Sequence, residues 1–336
     1  MSKGLKITIS IISVVLALIL IFLGVYYFWP WNKEFFDNAT EEFAIPGLHT
    51  DFCPQGMTKI AGYNQYLISG YMNDGSPSRF YLINAEDDSV IKYVTLNING
   101  KKYDGHAGGV VSFGSTLWTV SQADGKGYAF RFSLSALHAA TNGDEVLIQD
   151  CFETYNNADF AFAYDNYLWV GEFYKKDKYE TDSEHRLKTR TGEINPAIVY
   201  GFPINESYTY GLQKNFPQKA ISIRGLCQGI AVTNDGKFVM STSYSIPDSN
   251  IYYYENVLAE DPHNTEFKIG HTFVKLWYLD NDSLISQSNA PAMSEELVVE
   301  NDRVYILFES ASKKYKLFNR KRLSNVYSLP LTYLEK

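Results

Sequence analysis

Cysteine is scarce: three thiols in 336 residues, at Cys53, Cys151 and Cys227. An odd number allows at most one intramolecular disulfide, so a scaffold stapled by several bridges is excluded and free buried thiols are expected. Clustered positive charge is lacking as well. The formal net charge is −8, and the longest uninterrupted basic run is Arg320, Lys321 and Arg322. Nucleic-acid binding needs a basic face, so no nucleic-acid partner is expected. No G-x-S-x-G elbow occurs, and the GHAGG run at 105–109 is not followed by the Lys-Ser/Thr of a phosphate loop. The six His show no zinc-ligand spacing. These absences argue against an α/β-hydrolase triad, a nucleotide loop and a zinc site.

Long apolar runs are missing too, with one exception. Residues 7–29, ITISIISVVLALILIFLGVYYFW, carry no charge. At about 1.5 Å per residue they extend roughly 35 Å as a helix, enough to cross a hydrocarbon core. Lys3 and Lys6 precede the run, whereas Glu34, Asp37, Glu41 and Glu42 follow it against the single Lys33. The positive-inside bias places residues 1–6 in the cytoplasm, a transmembrane helix at 7–29, and everything beyond it outside. A cleaved signal peptide is the alternative, but its apolar region would be shorter and would end in small residues rather than YYFWPW. Residues 30–44 read as a linker, and 45–336 as the extracytoplasmic domain.

What the chain has in abundance is aromatic residues, 26 Tyr and 21 Phe, and one phrase that keeps returning. A turn with Gly or an acidic residue leads into an apolar strand, and a second strand rich in aromatic and β-branched residues follows. The copies are CPQGMTKI…QYLISGYM (53–72), GHAGGVVSF…TLWTVSQ (105–122), ADFAFAYDNYLWVGEFY (158–174), CQGIAVTNDGKFVMSTSYS (227–245) and SEELVVENDRVYILFESAS (294–312). Repetition of one supersecondary unit at this spacing predicts a propeller. Four antiparallel strands per copy fit a blade. In the first copy these are 56–60, 66–72, 79–84 and 90–96. The fourth copy is read with its last strand at 272–278, and the third is lengthened by a charged surface insertion, 175–195. The fifth is one strand short, and TEEFAIP at 40–46 can supply the missing strand and so remove an exposed edge. The predicted fold is therefore all-β, a β-propeller of five four-stranded blades, with six as the alternative count. SLSALHAAT (133–141) predicts a short helix.

In a propeller the first strand of each blade lines a central channel, so the residue opening each repeat points toward a shared axis. Those residues are Gln55, His106, Asp159, Gln228 and Glu296, with Glu295 adjacent. Second-strand positions add Glu172 and Glu309, with Ser243 aligned to them. Acids within apolar strands are costly unless paired or liganded, and Arg224 is one available partner. Such a ring fits a small polar ligand or a partner loop. Its oxygens also suit a hard cation such as Ca²⁺, with Asp159 and Glu296 as ligands and an adjacent base for hydrolysis. The opposing reading is that any propeller channel is wet, and its polar residues serve only ordered water and backbone.

The phrases PQG, HAGG, CQGIAVTNDGK and EELVVENDRVYILFES resemble the blade starts of lactonase-like and strictosidine-synthase-like β-propellers. The resemblance covers about residues 45–330 at the level of repeat pattern. It implies a divalent cation held at the channel mouth by Glu, Asn and Asp, and cleavage of lactones or organophosphates, with Glu296 and Asp159 as candidate ligands. The first repeat departs from that pattern by carrying Gln55 where many of those enzymes have Glu. Three functions are carried forward: a membrane-anchored binding module, a cation-dependent hydrolase, and a scaffold whose side faces bind another envelope protein.

Overall fold

The computed structural model describes residues 3–336; Met1 and Ser2, part of the expected cytoplasmic segment 1–6, lie outside the described residues. The chain is all-β apart from one long apolar helix at its start, Lys3–Phe28, and short helical turns. The window Ser10–Tyr27 has a mean hydropathy of 2.5 and is unburied, so by length and composition this helix can cross a membrane. Residues 30–44 hold a short helix, Lys33–Asn38, and a strand, Thr40–Ala44.

The repeated phrases become antiparallel sheets. Unit I runs Phe52–Ile60, Gln65–Met72, Arg79–Asn84 and Val90–Ile98. Unit II runs Gly109–Phe113, Thr116–Ala123, Lys126–Ser133 and Glu145–Glu153. Unit III runs Phe160–Tyr164, Tyr167–Gly171, Ala197–Pro203 and Lys219–Ile223. Unit IV runs Cys227–Val232, Phe238–Thr242, Ser249–Tyr254 and Leu284–Ala290. Unit V runs Ser294–Glu300, Arg303–Phe308 and Asn325–Pro330, and the strand Thr40–Ala44 pairs onto its outer edge. The first strand of each unit packs on that of the next, and the first strand of unit V returns to unit I. The arrangement is propeller-like.

Side-chain alternation puts one apolar face of each sheet against its neighbour. Four buried clusters result: between units I and II around Phe80 and Phe132, II and III around Trp118 and Phe202, III and IV around Trp169 and Tyr254, and around the V–I junction with Phe35, Phe43 and Phe308. The inner strands approach so closely that glycine is required where they cross. A Cβ on Gly109 would lie 2.5 Å from the Ala161 amide nitrogen, and one on Gly229 would lie 2.7 Å from Glu296 Cα.

Two expectations are corrected. The strand Thr272–Tyr278 does not close unit IV. It pairs in parallel with Lys219–Ile223 and, with Asn264–Ile269, widens unit III. Val274, Leu276 and Tyr278 bury against the core between units II and III, which decides its allegiance. The insertion 175–195 is only partly a surface feature, because Thr181, His185, Thr189 and Asn195 are buried. The short helix forms at Leu134–Ala139, capped by the Ser133 hydroxyl accepting from the Ala136 amide. All three cysteines are free.

Candidate functional site at the channel mouth

Three of the inner strands begin with a β-bulge. Pro54 and Gly56 pair with Gly70 and Ser69, leaving Gln55 as the extra residue. Gln228 is extra in the same way between Cys227 and Gly229, and Glu295–Glu296 lie in the break between Ser294 and Leu297. A bulge re-aims a side chain that regular pleating would send elsewhere. Here it turns amides and carboxyls of separate units toward one another.

They meet in one polar cluster. Gln55 Nε2 donates to Glu309 Oε2 at 2.9 Å and to the Pro54 carbonyl at 2.7 Å. Gln55 Oε1 lies 2.6 Å from His106 Nε2. With its amide nitrogen committed, the Gln55 oxygen accepts, so the His106 proton sits on Nε2 and Nδ1 keeps a lone pair. Glu309 is a close neighbour of Glu295 within unit V, and Gln228 Nε2 reaches Glu295 Oε1 at 3.5 Å. Units I, II, IV and V are thereby joined through Gln55, His106, Gln228, Glu295 and Glu309.

The electrostatics follow from burial. Glu295 and Glu309 are 3% and 8% exposed, and two carboxylates so placed cannot both ionise. Burial, then the Glu309 charge, holds the Glu295 carboxyl far above its ordinary value. Burial also lifts Glu309, to about 7, opposed by Lys314 and by the hydrogen bonds from Glu295 and Gln55. Both carboxyls are therefore held above their ordinary range. His106 is exposed at the rim as a residue, while its ring stacks on Tyr71 with centroids 4.5 Å apart. Enclosure of the ring and then Lys314 lower its pKa, so the imidazole is neutral at pH 7. Tyr71 accepts from Lys314 Nζ at 2.6 Å and lies 3.2 Å from the Tyr315 hydroxyl.

The remaining sequence candidates go elsewhere. Asp159 accepts from Gln122 Nε2 of unit II at 3.0 Å and from the Phe173 amide at 2.7 Å. Its carboxyl is pushed up to about 7, by burial first and then by nearby Glu172. Glu172 leaves the mouth altogether. It accepts from the Ile198 amide at 3.1 Å and pairs at 2.9 Å with His185 Nδ1, whose Nε2 lies 3.0 Å from the Tyr200 hydroxyl. That group lines a separate cleft of about 270 Å³ together with Lys126, Glu153 and Lys268. Glu296 is 1% exposed between the inner strands of units III, IV and V. The amides of Ala161, Ile230 and Leu297 face it, yet neither carboxyl oxygen has a partner of normal hydrogen-bond geometry. Burial raises its pKa strongly.

No cation site is shown for the calcium expectation. Asp159 is committed to Gln122 and Phe173, and among the described residues no group of three or more His, Cys, Asp or Glu side chains is placed to hold a metal ion. Among the described residues Arg224 pairs with no acid; its Nε donates to the Tyr254 hydroxyl at 2.7 Å and its guanidinium lies 4.0 Å above the Tyr252 ring. Ser243 accepts from the Met293 amide and holds a loop. Sequence reasoning missed Tyr71, Lys314 and Tyr315 at the mouth and His185 in the insertion. The Tyr at the end of ISGYM was a usable signal, since it aligns with the second-strand acids; the loop residues offered none.

No family model matches the sequence, and no curated protein does. Among solved structures, the PQQ-bound aldose sugar dehydrogenase of Streptomyces coelicolor is 9% identical over 87% of this chain and 97% of its own, with a TM-score of 0.48. The exo-β-1,3-galactanase of Phanerochaete chrysosporium is 9% identical over 87% of this chain and 63% of its own, with a TM-score of 0.45. The WD40 domain of Toxoplasma gondii coronin is 9% identical over 80% and 55%, with a TM-score of 0.34. Likeness at this level says nothing about activity, and the fold rests on the strand order described above.

Proposed function

We propose that this chain is a membrane-anchored, extracytoplasmic β-propeller of five blades that binds a small polar ligand at its channel mouth. The observation that carries the reading is the polar cluster of Gln228, Glu295, Glu309, Gln55 and His106, in which the Gln228–Glu295, Gln55–Glu309 and Gln55–His106 hydrogen bonds join four units. The cyclic contact of five inner strands, and the Thr40–Ala44 strand on the free edge of unit V, support the blade count. The apolar helix and the charge bias around it support anchoring with the domain outside.

The chemistry of the mouth selects a hydrogen-bond donor. A neutral His106 with a free Nδ1 lone pair, the Glu309 carboxyl and the Tyr71 hydroxyl are all able to accept. A hydroxyl- or amine-bearing molecule fits this set better than an anion does. A second reading, a divalent cation serving hydrolysis, rests on Glu296 alone, whose two oxygens lack partners in the channel. The resemblance to lactonase-like propellers supports that reading only as far as Glu296.

Thermal denaturation of the full chain against hexoses, amino acids, polyamines and Ca²⁺ tests both. A ligand at a hundredfold its Kd contributes about 2.7 kcal/mol, a rise in Tm of roughly 5 °C. Such a rise is expected with a hydroxyl or amine compound, and it should vanish in His106→Ala. An equal rise in His106→Ala would place the ligand elsewhere; a rise with Ca²⁺ alone, lost in Glu296→Gln, would favour the hydrolase.

A further inference from the structure

We propose that the loop 312–322 is a membrane seat, engaging anionic phospholipid headgroups and inserting Leu317 and Phe318 at the bilayer surface beside the helix Lys3–Phe28. The proposal rests on reading that helix as a membrane span. The loop sequence is SKKYKLFNRKR: Lys313, Lys314, Lys316, Arg320, Lys321 and Arg322, and no acid. In a chain with 38 acidic against 30 basic residues this is a local reversal of charge, hidden from a scan for basic runs by the apolar residues spaced through it. Leu317 and Phe318, 67% and 62% exposed, are the most exposed large apolar side chains among the described residues outside that helix. Adjacent apolar side chains at the tip of a basic loop form an amphipathic element suited to an anionic lipid interface.

The position of the loop singles out the membrane as its occupant. Tyr26, in the last turns of the helix, donates its hydroxyl to the Phe318 carbonyl at 2.6 Å, and Tyr27 donates to the Leu317 carbonyl at 3.3 Å. The Arg322 guanidinium lies 5.6 Å from the Tyr27 ring, and that of Arg320 lies 4.4 Å from the Trp31 ring. The loop is thus fastened to the aromatic end of the apolar helix, at the level where interfacial Tyr and Trp belong. Its other end follows Glu309 by three residues and carries Lys314 onto Tyr71. Seating the loop therefore turns the channel mouth toward the headgroups.

The test uses the full chain with Cys151→Ser and Leu317→Cys, labelled with an environment-sensitive fluorophore, in nanodiscs containing anionic phospholipid. The expected result is a blue-shifted emission and a several-fold loss of quenching by acrylamide, relative to the same protein in zwitterionic detergent. Lys316→Glu with Lys321→Glu, which leaves the Arg320–Asp248 pair and the Lys314–Tyr71 contact intact, should restore much of the quenching. Alkaline carbonate extraction of native membranes separates the two failures. Release of the chain would overturn the anchor and the seat together. Retention with a freely quenched Leu317 label, or protection unchanged by the two Lys→Glu substitutions, would overturn the seat alone.

Discussion

Raising the pH from 5 to 8 is expected to destabilise the folded protein, and Glu309→Gln to remove one part of that loss. The cause is the direction of the carboxyl shifts. Glu309 rises from 4.5 to about 7 on folding and Asp159 from 3.8 to about 7, while Glu295 and Glu296 also rise. A group whose folded pKa is raised binds its proton more tightly in the native state. Its stabilising contribution is complete below the unfolded pKa near 4 and is lost as pH climbs through the folded pKa near 7. At about 1.4 kcal/mol per pH unit, Glu309 alone accounts for roughly 3 kcal/mol. Glutamine keeps an oxygen for the Gln55 amide and has no charge to bury. The variant should match the wild type near pH 5 and exceed it by about 2–3 kcal/mol at pH 8, read from denaturant unfolding at the two pH values. Equal slopes of stability against pH in the two proteins would mean that Glu309 is ionised and solvated in the native state.

Removal of Thr40–Ala44, by joining the helix to Ile45 through a flexible spacer, is expected to abolish cooperative unfolding of the domain. The strand covers the outer edge of unit V, where Asn325–Pro330 would otherwise present unpaired backbone groups to other chains. It also brings polar ties: Arg303 Nη2 donates to Thr40 Oγ1 at 2.7 Å, and Tyr327 donates to Glu41 at 3.0 Å. Phe43 is 3% exposed, its ring 4.8 Å from that of Tyr66 in unit I, so the strand links the last unit to the first. Phe43→Ala by itself should cost about 3–5 kcal/mol, the usual range for deleting a buried ring. Calorimetry with light scattering reads both variants. A deletion that melts cooperatively near the wild-type temperature, without aggregation, would show that the strand is not needed for closure.

Much of the architecture was legible because each copy carries its own strand pair, with glycine where inner strands must approach and aromatic residues where sheets bury against one another. Gly109 and Gly229 in HAGG and CQG are of the first kind, and Trp118 and Trp169 of the second. What failed did so for local reasons. LISQSNA (284–290) has no apolar alternation and did not read as a strand, so the more apolar 272–278 took its place in unit IV although its core lies elsewhere. Position in the repeat identified Gln55, His106 and Gln228, but not which acid would meet them. A bulge between Ser294 and Leu297 sends Glu295 to the mouth and leaves Glu296 in the channel. Glu172 looked equivalent to Glu309 by alignment, yet His185 from a distant insertion claims it. Lys314 and Tyr315 reach the mouth from a loop, where no periodicity announces them.

On the proposed reading, polar residues from separate repeats act as one unit. A double-mutant cycle between His106→Ala and Glu309→Ala, with denaturant unfolding at pH 7, probes this, because the two residues belong to different units and each hydrogen-bonds Gln55. A coupling free energy of about 1 kcal/mol is expected, as for members of one hydrogen-bond network. Additivity within about 0.3 kcal/mol, the behaviour of independent sites, would contradict it.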